Sequence, residues 1–382
     1  MTAKFPAKVL AEVYRQHHIP LPPITLQALL QRGPRASLEV AKSLQGDPAA
    51  LQKWQEKNAP LIVQSAQLLH REVPIRLARR IVDLENLPDG LPDAPAIVKL
   101  REELVSSFEQ MITSPVPHDL DGEREFMAMH RRIRTEHATM HNNLADALHE
   151  LTHEPKGLSR LLDDFYNSRI GIRMLVDQHV AAQNPVPGFS GIIADHCSPV
   201  RIAEDVIAKV EPLWSANLSG RSLPEFRIEG QPAATYRYIP QHIELILSEV
   251  IKNAVLNSLN ANTSSPPPPV QILVSGGSHG VCIKVSDRGG GMTRDQANAL
   301  FSYVQPSSSK PDKSPSLSRY DPVSAALERR ASGMDFLHSF GLRIASLYAR
   351  YFGGALSVMP MDGYGVDTYI YMNCLTERSE LK

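Results

Sequence analysis

The run SEVIKNAVLNSLN, followed about thirty residues later by VSDRGGGM, constrains this chain more than any other feature. Read as a helix, the first run puts Glu249 and Asn253 one turn apart on a single face. The second ends an apolar alternation, VCIKVSD, and breaks into glycines directly after Asp287, so that carboxylate is expected where a strand gives way to a tight turn. An acid and an amide on one helical face can hold a metal ion between phosphates and handle a proton. Together with a glycine-flanked acid at a strand end, they outline a pocket for a purine and its phosphates.

Composition limits the alternatives. With 382 residues, 42% hydrophobic and 21% charged, the chain has enough apolar material for two globular cores. A formal net charge of -1 gives no field that would recruit nucleic acid or an anionic membrane, and no apolar run is long enough to span a bilayer. Cys197, Cys282 and Cys374 are far apart, show no metal spacing and leave one thiol over in any pairing, so reduced thiols are expected. The opening MTAKFPAKVLAEVYRQHHIP has too little apolar length for a secretory signal and is poorer in Arg and Ser than a typical mitochondrial presequence.

Periodicity divides the chain. Residues 1–50 read as a helical N-terminal extension, and from 51 to 182 apolar residues recur at three and four, as in LIVQSAQLLHREVPIRLARRIVDL and AIVKLREELVSSFEQMI. The runs MHRRIRTEHATMHNNLADALHELT and LSRLLDDFYNSRIGIRMLVDQHVAA continue the pattern, with LPDGLPDAP, SPVPHDLDG and HEPKG as punctuation. Four long amphipathic helices with short connections predict a four-helix-bundle-like domain. QNPVPGFSG (183–191) reads as a linker, and 192–376 as a second domain in which strands such as VQILVS, VCIKVS and ALSVMPM mix with helices. The expected class is therefore α+β, with an α/β sandwich in the second domain. Residues 305–340, rich in Ser, Pro and Lys, are too long for an ordinary connection and read as a lid insertion.

The order of these motifs resembles the GHKL (Bergerat) ATP-binding fold of histidine kinases, gyrase-type ATPases and heat-shock chaperones. LYARYFGGALSVMPMDGYGVDTYIYMN, REVPIRLARRIVDLENLP and FYNSRIGIRMLVDQH are more specific. They resemble the mitochondrial pyruvate and branched-chain α-ketoacid dehydrogenase kinases over about Pro60 to Asn373.

That resemblance implies an ATP-dependent, Mg²⁺-requiring protein serine kinase of the mitochondrial matrix. It would phosphorylate and inactivate the E1α subunit of pyruvate dehydrogenase, with the E2 lipoyl domain as a partner and a homodimer formed through the sheet. By resemblance, Asn253 is the Mg²⁺ ligand, Glu249 the acid that accepts the serine proton, and Lys252 an electrostatic helper. Asp287 would accept from the adenine amino group, while Gly289 and Gly291 admit the nucleotide. Ser307 would be a lid hydroxyl and Phe340 part of the ATP site, Gly341 and Leu342 would open the helix whose amides face the phosphates, and His137, Arg169 and Arg173 would belong to a regulatory site for pyruvate-like acids.

Departures from the family pattern keep other readings open. The relatives close the lid with GxGxGLP; here the run is LHSFGLR, keeping only Gly341 of the three glycines and placing side chains at Leu337 and Ser339. Leu256 stands where the relatives have Arg, Leu245 where many have His, and Val366 where they have Thr. The run after Asn373 is short, so a C-terminal tail of the animal type is not expected. The alternatives are a catalytically weak regulatory or scaffold member and a branched-chain ketoacid dehydrogenase kinase. A two-component histidine kinase fits less well, because Glu136 and His137 stand in reverse order to an HE dipeptide.

Overall fold

The computed structural model of the protein describes residues 5–137, 144, 147–148, 151, 153–215, 222–230, 235–261, 266–276, 280–304 and 341–373. Ser307, Phe340, Cys374 and the whole of 305–340, including Leu337 and Ser339, lie outside them. The chain divides into two units, Met1–Asp195 and His196–Lys382.

The first unit is helical: α1 (Ala7–His17), α2 (Leu26–Leu30), α3 (Leu38–Leu44), α4 (Pro48–Lys57), α5 (Ala59–Glu85), α6 (Pro95–Thr113), α7 (Leu120–Glu136) and α8 (Leu158–Ala182). Apolar residues at three and four make α5 bury Ile62, Ala66, Leu69, Leu77, Ile81 and Leu84 against α1, α6, α7 and α8. Each such side chain contributes about 1.5–3 kcal/mol on leaving water. Several polar groups in this interior are matched. Glu72 lies between Arg32 at 2.9 Å and Arg76 at 3.0 Å, and the His179 ring bridges Ser65 Oγ and Glu123 Oε1, each at 2.9 Å.

Two boundaries differ from the sequence reading. SPVPHDLDG is not all punctuation, because Asp119 caps the Gly122 N–H at 2.8 Å and α7 starts at Leu120. The end of the expected linker pairs as a short hairpin, β1 (Phe189–Ser190) antiparallel to β2 (Ile193–Cys197). Gln178 of α8 ties that hairpin down, accepting from the Ile192 N–H at 2.9 Å and donating to the Leu29 carbonyl at 3.1 Å. Pro185 and Pro187 hid a two-residue strand too short to show a period.

The second unit contains α9 (Pro199–Ser215), β3 (Phe226–Gly230), β4 (Tyr236–Tyr238), α10 (Pro240–Ala261), β5 (Val270–Gly276) and β6 (Gly280–Asp287). It continues with α11 (Arg294–Ala299), α12 (Gly341–Tyr351), β7 (Ala355–Met361) and β8 (Gly365–Asn373). Five strands form one mixed sheet in the order β3-β5-β6-β8-β7, parallel only between β3 and β5. Strict alternation along β6 buries Val281, Ile283, Val285 and Asp287, and the same face of β8 buries Val366, Thr368, Ile370 and Met372. Helix α10 packs on β5 and β6, with α9 and α12 beside it. The opposite face carries Leu273, Lys284, Tyr369, Tyr371 and Met359. No described helix is long and apolar enough to cross a membrane.

Candidate functional site

Asp287 ends β6 on the buried face, only 4% exposed, because the alternation that buries three valines and isoleucines brings it inward as well. Its carboxylate is held by the Gly289 N–H at 2.9 Å, by Asn257 Nδ2 at 3.3 Å and by the Val366 main chain. Burial pushes this acid up, while those three donors pull it back toward the charged form. Glycine is required next to it. A Cβ on Gly289 would come within 2.5 Å of the Asn257 backbone, and Gly291, at φ +73°, sits directly on the Met361 carbonyl.

Along α10 the other polar groups are one turn apart. The Glu249 side chain is buried, and its Oε2 lies 2.7 Å from Lys252 Nζ. Asn253 Nδ2 donates to the Glu249 carbonyl at 2.8 Å, which orients the side-chain oxygen away from its own helix backbone. Gly341 opens α12 against the Glu249 carboxylate, where a Cβ would collide, and Leu342 behind it is core. Glu249, Asn253 and Asn257 thus mark one face of α10 over about 12 Å. Asn257 was missed in the sequence; its only signal was a further step of four after Asn253.

Chemically, the arrangement offers a buried carboxylate with its own counter-ion, a neutral oxygen donor and a second buried carboxylate at the opposite end. Among the described residues no cluster of three or more His, Cys, Asp or Glu is gathered. A cation here would be held by the Asn253 oxygen and by phosphate oxygens, which suits a hard divalent ion.

His137, Arg169 and Arg173 come together elsewhere, on a cavity of about 250 Å³ inside the helical unit. Among its described lining residues are Arg80, Arg131 and Arg134 as well, against a single acid, Asp177. Arg134 and Arg173 both reach Asp177, at 3.2 and 3.4 Å. Burial, with Arg169 beside it, lowers Arg80 to about 9, so it stays charged at neutral pH. Burial and then the charges of Arg80 and Arg169 push His137 down to about 2, and its neutral ring meets Ser107 Oγ at 2.7 Å. Five arginines against one aspartate give the cavity lining a positive sign in an apolar frame, which a small carboxylate complements.

Comparison with known proteins follows the same division. Residues 23–194 match the family described as mitochondrial branched-chain alpha-ketoacid dehydrogenase kinase, and residues 242–375 match the histidine kinase-, DNA gyrase B- and HSP90-like ATPase family. A mitochondrial pyruvate dehydrogenase (acetyl-transferring) kinase of Arabidopsis thaliana is 35% identical over 83% of this chain and 86% of its own length. The chain belongs to the mitochondrial pyruvate and branched-chain α-ketoacid dehydrogenase kinase family. Pyruvate dehydrogenase kinase isozyme 4 of Mus musculus is 29% identical over 82% of this chain and 77% of its own length. The corresponding kinase of Schizosaccharomyces pombe is 26% identical over 84% and 90%.

The departures from the kinase family pattern find places in the fold. Leu245 is 2% exposed, part of the apolar seam of α10, so Glu249 takes Lys252 as its neighbour instead of an imidazole. Val366 is buried in register with Asp287 and serves it through its main chain, a role any side chain permits. Leu256 is half-buried on α10.

Proposed function

We propose that this chain is an ATP-dependent protein serine kinase that phosphorylates, and so inactivates, the E1α subunit of the mitochondrial pyruvate dehydrogenase complex. The observation that carries the reading is the placement of Glu249, Lys252 and Asn253 on one face of α10, with Asp287 at the strand end beside Asn257. Asp287 accepts from the adenine amino group, and Asn253 would supply one oxygen to a bound Mg²⁺, whose chemistry there would be to neutralise triphosphate charge. Glu249 takes the proton of the serine hydroxyl as its oxygen bonds to the γ-phosphorus; the bond to the bridging oxygen breaks and ADP leaves. Gly341 and Leu342 start the helix whose amides face the phosphates.

Four further assignments belong to this reading. His137, Arg169 and Arg173 form the regulatory site, with pyruvate-like acids as its ligands, supported by the charge balance of the cavity. The open face of the sheet, with Met359 and Tyr371 both at least half exposed, is the homodimer interface. The E2 lipoyl domain is the docking partner, and the mitochondrial matrix is the compartment. The match of residues 23–194 to the branched-chain kinase family supports a second substrate reading, the E1 of the branched-chain complex.

The test is transfer of labelled phosphate from ATP with Mg²⁺ to purified E1 of both complexes, side by side. Label on the pyruvate enzyme, abolished by Glu249→Gln without loss of ATP binding, is the expected result. Label only on the branched-chain enzyme would move the substrate. Absence of transfer together with no calorimetric heat on adding ATP would leave only the scaffold role.

A further inference from the structure

We propose that Asn257 is a positioning residue for base selection: it fixes the Asp287 carboxylate so that the site accepts a 6-amino purine and rejects a 6-oxo purine. The inference rests on the nucleotide reading above and deepens it.

A carboxylate has about four acceptor directions. The Gly289 N–H takes one on Oδ1, Asn257 Nδ2 takes one on Oδ2, and the Val366 main chain supplies a third contact. What remains is a narrow acceptor in a site where Asp287 is 4% exposed. An exocyclic amino group satisfies it. A carbonyl in the same place turns two acceptors toward each other with water excluded, and a site built to receive one hydrogen bond discriminates strongly against a group that cannot make it.

Asn257 is the side chain among these partners, and therefore the one that substitution can remove. Two independent observations hold it in place. It is fixed along α10 by the helix that carries Glu249 and Asn253, and its backbone packs against Gly289 so closely that a Cβ there would stand 2.5 Å from its carbonyl carbon. Turn and helix are thus locked at the point where the amide reaches Asp287. Without that amide the buried carboxylate loses a donor on Oδ2 and is free to rotate or to take up a proton. As a protonated acid it could donate to a 6-oxo group, and selection would fail in a definite direction.

Calorimetric titration of the full chain with ATP and with inosine triphosphate, before and after Asn257→Ala, separates the possibilities. The wild type is expected to bind ATP and discriminate against inosine triphosphate. Asn257→Ala is expected to weaken ATP about tenfold and leave inosine triphosphate unchanged or tighter, so that the ratio collapses. An unchanged ratio, or an equal loss for both nucleotides, overturns the proposal, because a packing role alone would weaken both alike. Should Asn257→Ala not fold, Asn257→Leu keeps the volume without a donor, and the same ratio decides. A wild type that binds neither nucleotide sinks the nucleotide reading itself, which distinguishes the two failures.

Discussion

Lys252 Nζ stands 2.7 Å from Glu249 Oε2, and both side chains are largely shielded from solvent. An ion pair in this setting is costly to break from one side, since the remaining charge is left buried without its partner. Lys252→Met is therefore expected to lower kcat by about 10–100-fold and to cost about 1–3 kcal/mol of stability. Steady-state kinetics on E1 with a parallel thermal melt checks it. Full activity in that variant would show that Glu249 works without its neighbour.

Gly341 and Gly291 should respond in opposite ways to the same substitution. At Gly341 an added methyl meets the far end of the Glu249 side chain rather than backbone, so Gly341→Ala should cut phosphate transfer at a smaller cost in Tm than Gly291→Ala. Gly291 has φ +73° and faces the Met361 backbone, which cannot yield, so Gly291→Ala should cost about 1–3 kcal/mol of stability. Paired melts and transfer rates distinguish the two.

Asp83 predicts a pH effect in the first unit. Burial, then the nearby Asp164, pushes its carboxyl from 3.8 up to about 6. The folded state therefore holds the proton more tightly than the unfolded chain, and stability falls as pH rises from about 4 to 6. Asp83→Asn should raise Tm at pH 8 and leave it nearly unchanged at pH 4. A melt series across that range is the measurement.

Two histidines act with the other sign. Burial lowers His130 to about 4 and His137 to about 2, against an ordinary 6.5. Unfolding then takes up protons below pH 6.5, so stability is lost as pH falls, at about 1.4 kcal/mol per pH unit for each fully uncoupled histidine. Denaturant melts between pH 6.5 and 4.5, compared between wild type and His130→Gln, should show the variant losing the His130 share of that slope while the His137 share remains.

Arg169 contributes to the depression of His137. Burial and then Arg80 are the larger causes, so Arg169→Met should raise His137 only part of the way, read by ring-proton chemical shifts against pH. The same variant should lose any response of kinase activity to pyruvate-like acids.

Much of the candidate site's geometry was legible because it is local. Glu249 and Asn253 share a face by helical spacing, and Asp287 is set by a strand period that stops at glycines. Asn257 escaped notice because its value depends on β6 arriving beside α10, a contact between segments thirty residues apart. Arg80 and Arg134 escaped for a similar reason: on a single helix they read as solvated charges, and only the packing of α5, α7 and α8 around one cavity gives them a common target. The hairpin at Phe189–Cys197 was concealed by prolines, while Gln178, which anchors it, carries no local sign of doing so.

Helix α10 has a mechanical consequence. Glu249 and Asn257 ride on one stiff rod, clamped against Gly289 near its far end and against β5 and β6 along its length. The proposed proton acceptor and the proposed purine seat therefore keep a fixed spacing, since one rigid element carries a residue of each.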